Sequence, residues 1–153
     1  MAIREAISQL ISMIEASTPP SDIDHGFVCV QTADGMSTDI YERSGNIRYF
    51  DIDQADQLLP MDDADAGLSG RKRGFRTVRV RYDIPHDMGL LQNIVSEDSA
   101  HLIDVLKGPD YIPALTQITT VIPRAPSIEI LYDQEGAVLA WLVKIPIEIL
   151  FKN

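Results

Sequence analysis

Cysteine and histidine, which commonly bind metals or act as nucleophiles and bases, are scarce in this chain. Its 153 residues include one cysteine, Cys29, and three histidines, His25, His86 and His101. A single cysteine excludes an intrachain disulfide. No histidine has a second one at the spacing that metal ligands use. The sequence therefore predicts no catalytic residues, no metal site, no cofactor and no enzymatic activity.

Two segments have the composition of ligand-binding loops but lack the required motifs. The glycine-rich segment 67–74 has no Gly-Lys-Ser/Thr sequence, which a phosphate-binding P-loop requires. In the aspartate-rich segment 51–65, an EF-hand counted from Asp51 would place Ala55 at a ligand position and Asp56 where glycine belongs. We interpret the second segment as a solvated acidic loop.

Long apolar runs are absent as well. A membrane-spanning helix needs about 20 consecutive apolar residues. The longest apolar run, near the C-terminus, is interrupted by Lys144, Pro146 and Glu148. The chain starts with an amphipathic pattern that includes Arg4 and Glu5, which is not typical of a signal peptide. We expect no membrane partner and a cytoplasmic location.

Positive charge is in short supply. The chain has 13 Lys and Arg against 23 Asp and Glu, which gives a net charge of −10. Binding DNA over the whole surface is disfavoured, because phosphate binding needs local positive charge. An acidic surface could instead line a passage through which DNA slides without specific binding.

The residues that are present predict an α+β fold. Apolar residues at helical spacing predict one helix over about residues 2–16 and a second that begins at Asp87 and stops at Gly108-Pro109. Strands are predicted at 25–32, 47–52, 75–83, 116–122, 127–132 and 138–151. We expect a single domain over residues 1–153: an antiparallel (mixed) sheet of four to six strands with two helices packed on one face. Residues 33–74 are expected to form a long loop or excursion.

The last predicted strand has one wholly apolar face. Every second residue of the strand points to this face, and all of these residues are apolar: Leu139, Trp141, Val143, Ile145, Ile147, Ile149 and Phe151. Most of this face is expected in the core. Any part that two helices cannot cover would be an interface.

Six of the thirteen positive charges fall within eleven residues, 71–81. One interpretation is a solvated strand face after a charged loop. The other is a surface that pairs with acidic groups of a neighbouring subunit, since Arg binds carboxylates in bidentate fashion. The predicted subunit or partner interface comprises Arg71, Lys72, Arg73, Arg76, Arg79, Arg81, Asp62, Asp63 and Asp65. Reversing the charges of Arg79 and Arg81 is expected to weaken assembly and leave the fold intact.

The order of these patterns resembles the tail terminator and neck (head–tail joining) proteins of tailed phages. The similar segments are the basic strand Phe75–Tyr82, the helix segment Ile94–Leu106 with its Asp98-Ser99-Ala100 and Leu102-Ile103 pattern, and a closing hairpin at 127–151. The resemblance implies a structural virion protein that forms a ring, usually a homohexamer. Its implied partners are the tail tube protein and the head connector, with DNA passing through the lumen.

The sequence is also compatible with two other functions. A small ligand-binding α+β domain would have a pocket lined by His25, His86 or His101 together with carboxylates. An adaptor would bind an acidic partner through residues Arg71 to Arg81. Ring formation would favour the phage structural function. A pocket with perturbed pKa values would favour the ligand-binding domain, and a salt-sensitive heterodimer would favour the adaptor.

Overall fold

Two helices and seven strands make up the part of the chain that the structure describes. The computed structural model describes residues 2–20, 26–30, 40–41, 48–54, 62–63, 71–83, 88–107 and 118–152. The elements in chain order are α1 (Ala2–Ala16), β1 (Phe27–Cys29), β2 (Arg48–Gln54), β3 (Asp62–Asp63), β4 (Arg71–Asp83), α2 (Met88–Lys107), β5 (Ile118–Pro123), β6 (Ser127–Tyr132) and β7 (Val138–Lys152). The predicted α+β class is confirmed.

The strands form one sheet in which β7 has neighbours on both sides along its length. β4 pairs antiparallel with β7 from Arg71 opposite Lys152 to Asp83 opposite Ala140. On the other side of β7, β6 pairs with its first half and β5 with its second half, so these two strands lie end to end. β2 and β3 both pair antiparallel with β4, and β1 joins β2 in parallel. The sheet is therefore mixed, as expected. The two-residue β3 takes the strand count one above the expected maximum.

Both helices pack on one face of this sheet, which confirms the predicted arrangement. Ala6, Leu10 and Ile14 of α1 are buried, and their four-residue spacing puts them on one side of the helix. The alternate β4 residues Val78 and Val80 face the helices and are fully buried. The other buried residues of this core include Phe50, Ile52, Leu91, Leu102, Leu106, Val143, Ile145, Ile147 and Ile149. No described helix is both long enough and apolar enough to cross a membrane.

The described residues of segment 33–74 include the strand predicted at 47–52, and the long loop or excursion expected around that strand stays a prediction. β2 occupies residues 48–54, β3 pairs with β4, and β4 begins at Arg71 and not at Phe75. The sequence pattern did not predict β3 or the early start of β4, because the residues involved are mostly charged and binary patterning finds strands by their apolar residues. Apart from Ile40 and Tyr41, the rest of the segment lies outside the described residues.

The turn between β6 and β7 is held by Asp133 and Gly136. Asp133 Oδ1 accepts hydrogen bonds from the backbone N–H groups of Glu135 and Ala137, both at 2.9 Å. The Asp133 N–H also donates to the Ala137 carbonyl at 2.8 Å. Gly136 has a φ of 84°, a conformation that favours glycine. The predicted hairpin is confirmed and its turn is well defined.

We expect Gly136→Ala to lower the free energy of unfolding by about 1 kcal/mol, because an L-residue is strained at positive φ. An added Cβ would meet no atom within 4 Å, so the cost comes from the backbone alone. Gly26→Ala is the matched control, since its Cβ also meets nothing within 4 Å and its φ is not positive. Urea unfolding measures both variants. An equal loss in the two would contradict the assignment of the cost to Gly136.

Candidate subunit interface

Arg79 and Arg81, predicted to face a partner, are buried within the chain. Their side chains keep only 11% and 2% of their exposure. Both lie on the sheet face opposite the helices, as the alternation of β4 predicts. Arg79 Nε donates to Asp51 Oδ1 at 2.8 Å and Arg79 Nη2 to Asp51 Oδ2 at 2.6 Å. Asp53 lies 3.3 Å from the same Nη2. Arg79 is therefore satisfied by β2 of its own chain.

Ile40 and Tyr41 cover this arginine face. Arg81 Nη1 donates to the carbonyl oxygens of Ile40 at 3.2 Å and Tyr41 at 2.6 Å. Arg81 Nε donates to Asp83 Oδ1 at 3.0 Å. The Arg79 guanidinium stands 5.3 Å from the centroid of the Tyr41 ring, within the range of a cation–π contact. The two arginines hold the segment of Ile40 and Tyr41 against the sheet. A role for them in contacting a partner is therefore not supported.

The pKa values of Arg79 and of two neighbouring polar side chains are shifted from their ordinary values. Burial of Arg79 lowers its pKa, but the hydrogen bonds and charge of Asp51 outweigh this effect, and its pKa lies above the ordinary value. Burial, followed by a hydrogen bond with Glu129, raises the pKa of Tyr41. Burial lowers the pKa of Arg76, and the charge of Asp53 opposes that shift. Arginine titrates so far above neutrality that Arg79 stays charged under physiological conditions.

We expect the double variant Arg79→Glu with Arg81→Glu to unfold, contrary to the sequence-based expectation of an intact fold. It would place two carboxylates beside Asp51, Asp53 and Asp83. Breaking one buried ion pair alone costs about 3–5 kcal/mol. Arg124→Glu is the control, because that side chain is 62% exposed. Circular dichroism and thermal unfolding distinguish the two. A cooperative, near-native transition in the double variant would contradict this role.

A second polar cluster lies between the sheet and α2. Arg48 of β2 donates from Nε to Asp98 Oδ2 of α2 at 2.6 Å, and the Tyr82 hydroxyl donates to the same oxygen at 2.8 Å. All three residues are buried. Burial, reinforced by the charge of Asp98 and its hydrogen bond, raises the pKa of Tyr82 well above its ordinary value. The cluster ties α2 to β2 and β4.

Aromatic rings close one side of this cluster. The Phe27 ring stacks on His101, with centroids 6.1 Å apart and planes 4° apart, and the Arg48 guanidinium lies 5.7 Å from the Phe27 centroid. His25 and His86, the other two candidates for a ligand pocket, lie outside the described residues. Within the described part of the chain, no group of three or more His, Cys, Asp or Glu could hold a metal ion.

The raised pKa of Tyr82 predicts a loss of stability in alkali. Below about pH 10 both the folded and unfolded chains keep the phenol proton, so Tyr82 adds no pH dependence. Above it, the unfolded chain loses the proton first, and the free energy of unfolding falls as pH rises. Urea unfolding should show a gap between wild type and Tyr82→Phe that is constant below about pH 10 and narrows above it. Tyr132→Phe, which alters an exposed phenol, is the control. A gap that stays constant into alkali would contradict the prediction.

Five exposed apolar side chains gather on the β6–β7 hairpin. We call Ile128, Ile130, Tyr132, Val138 and Leu139 the hairpin surface; each is between 42% and 58% exposed. Ile128 lies opposite Val143 and Ile130 opposite Trp141 in the register of the two strands. Val143 belongs to the core under the helices and Trp141 packs against it. Ile128 and Ile130 therefore continue the helix-facing side of the sheet beyond the part that the helices cover.

The reason is one of length. With 15 residues, β7 is about 50 Å long at about 3.3 Å per residue. The longer helix, α2, has 20 residues and spans about 30 Å. Even aligned with the strand, such a helix leaves part of an apolar strand face uncovered. The part of the strand face that the helices leave uncovered is at the hairpin surface, and this is where the sequence analysis would place an interface.

The remaining predicted interface residues lie toward the other end of β4. Arg73 is opposite Leu150, and its Nε is 3.3 Å from Glu148 Oε1. Arg124, between β5 and β6, places Nη2 3.0 Å from Glu148 Oε2. One carboxylate thus faces two guanidiniums. Arg124 is isolated in the sequence, which therefore gives no sign of its role; it joins Arg73 only through strand pairing.

Several predicted residues are placed by backbone register alone. In β3, Asp62 lies opposite Arg73 and Asp63 opposite Lys72. In β4, Arg71 lies opposite Lys152, and Arg76 is half-buried, with Nη1 donating to the Phe75 carbonyl at 2.7 Å. Asp65 lies outside the described residues.

Comparison with known proteins adds no relative. No protein-family model matches the sequence, and no curated protein matches it. A functional assignment therefore depends on the resemblance in pattern and on the surfaces described above.

Proposed function

We propose that this chain is a structural protein of tailed-phage virions, a tail terminator or neck component. It forms a homo-oligomeric ring, a hexamer by analogy with the family that it resembles, between the tail tube and the head connector. The observation that carries the proposal is the hairpin surface. Five large, exposed apolar side chains on one hairpin favour a protein–protein contact, because exposed apolar patches commonly mark such sites.

The charge of the subunit supports the same function. A ring of subunits with a net charge of −10 each repels phosphate, so DNA can pass through the lumen without specific binding. The adaptor alternative is weakened, since Arg79 and Arg81 are satisfied inside the chain. The proposed location is the virion, with assembly in the host cytoplasm.

The ring is tested by replacing two hairpin residues with a polar residue that keeps strand propensity. We expect the wild-type protein to form rings in negative-stain electron microscopy, with light scattering giving a multiple of the 17.0 kDa subunit mass. Ile128→Thr with Ile130→Thr should fold normally and sediment as a monomer, because the apolar contact is lost. Val28→Thr is the matched control: Val28 is 41% exposed on β1, away from the hairpin.

Two results would contradict the proposal. The first is a wild-type protein that stays monomeric at every concentration. The second is a double variant that forms rings as well as wild type does, which would remove the hairpin from the ring contact.

A further inference from the structure

The hairpin surface and the Arg73–Arg124 region lie on opposite faces of the sheet. Glu148 alternates with Ile147 and Ile149, which are buried beneath the helices, so Glu148 and the two arginines that contact it lie on the other face. Phe75 lies opposite Glu148, and Leu150 opposite Arg73. Both apolar side chains remain partly exposed. We call Arg73, Phe75, Arg124 and Leu150 the basic surface.

The two surfaces also occupy different parts of the long strand. The hairpin surface borders the first residues of β7, and the basic surface borders residues from Pro146 onward: the Arg124 N–H donates to the Pro146 carbonyl at 2.8 Å. The surfaces are therefore displaced along the strand and face opposite directions. Such an arrangement lets identical subunits overlap, each with the uncovered face of its hairpin on the basic surface of the next.

Charge decides between this arrangement and a two-fold contact of hairpin with hairpin. The turn of the hairpin carries Asp133 and Glu135 and no Lys or Arg, whereas Glu129 lies on the other face of the sheet, opposite Leu142, with its Oε1 3.5 Å from Lys144 Nζ. A two-fold contact would bring acidic groups against acidic groups, and like charges placed opposite each other are destabilising. The basic surface supplies the opposite sign, because its two guanidiniums share the single carboxylate of Glu148. Its partly exposed Phe75 and Leu150 supply apolar area for the hairpin side chains.

We propose that the hairpin surface of one subunit docks on the basic surface of the next copy of the chain, so that the subunits overlap like roof tiles. The proposal rests on the ring function proposed above and specifies its contact. Each subunit uses two different surfaces in this contact. Such a heterologous contact can repeat around a ring. Arg124 of one subunit meets the acidic hairpin of its neighbour, where Tyr132 offers a ring on which a guanidinium can stack.

A charge exchange tests the pairing. The first variant, Gln134→Lys with Glu135→Lys, makes the hairpin turn basic and leaves Asp133, which holds the turn, unchanged. The second variant, Arg124→Glu, makes the basic surface more acidic. Each variant alone should weaken association by about tenfold at low salt, because the attraction between the acidic hairpin turn and the basic surface becomes a repulsion. In an equimolar mixture each altered surface meets a complementary one, so the mixture should regain most of the wild-type association in light scattering.

Salt and a control variant sharpen the test. In 1 M NaCl the Debye length is about 3 Å, so the losses in the single variants should shrink. Glu97→Lys is the control: it makes a comparable charge reversal on an exposed residue of α2, away from both surfaces, and should leave association unchanged.

The outcomes separate the two proposals. Wild-type rings together with unchanged association in both charge variants would overturn the proposed contact between the hairpin surface and the basic surface. The proposed ring function would not be affected. Weakened variants that their mixture does not restore would overturn the pairing of these two surfaces. A wild-type protein that never assembles would overturn both proposals.

Discussion

The pairing of β4 with β7 is the interaction on which the rest of the structure depends. It joins thirteen residues of β4 to β7 in continuous antiparallel register, and each of the other described strands except β1, which pairs with β2, is paired with one of these two strands. The register places Val78 and Val80 beside Ile145 and Val143, which creates the apolar face that both helices cover. Because the strand pair is longer than either helix, the same register leaves the hairpin end uncovered. The core and the candidate interface are thus two parts of one apolar surface.

Buried ion pairs fix β2 in place on both sides of the sheet. Asp51 binds Arg79 on one face, and Arg48 binds Asp98 on the other. Buried pairs of this kind seldom add much net stability, because removing the charges from water is costly. Their effect is on specificity: a one-residue shift of β2 would exchange its faces and separate both pairs. The register of β2 is therefore specified by these charges together with Phe50 and Ile52, which the same shift would move out of the core.

Apolar periodicity was enough to predict α1, α2, β6 and β7, together with the α+β class, because these elements bury one regular apolar face. It did not predict the early start of β4, the two residues of β3 or the parallel pairing of β1 with β2, where charged residues or very short segments carry the pairing. The basic residues were recognised as a group, yet the sequence could not show which ones are satisfied internally. That depends on partners as distant in sequence as Asp51 and Ile40. The link between Arg73 and Arg124 likewise exists only in the folded chain.

The break between β5 and β6 bears on how the protein avoids uncontrolled aggregation. Pro123 and Pro126 bracket this break in the outer strand, and proline has no N–H with which to bond another strand. A straight outer strand of fifteen residues would be a template for indefinite stacking of chains edge to edge. Interrupted in this way, the outer strand offers an incoming strand two separate stretches of six residues each, β5 and β6, in place of one continuous ladder. The interruption thereby limits edge-to-edge association of chains, even though the neighbouring hairpin surface exposes apolar side chains.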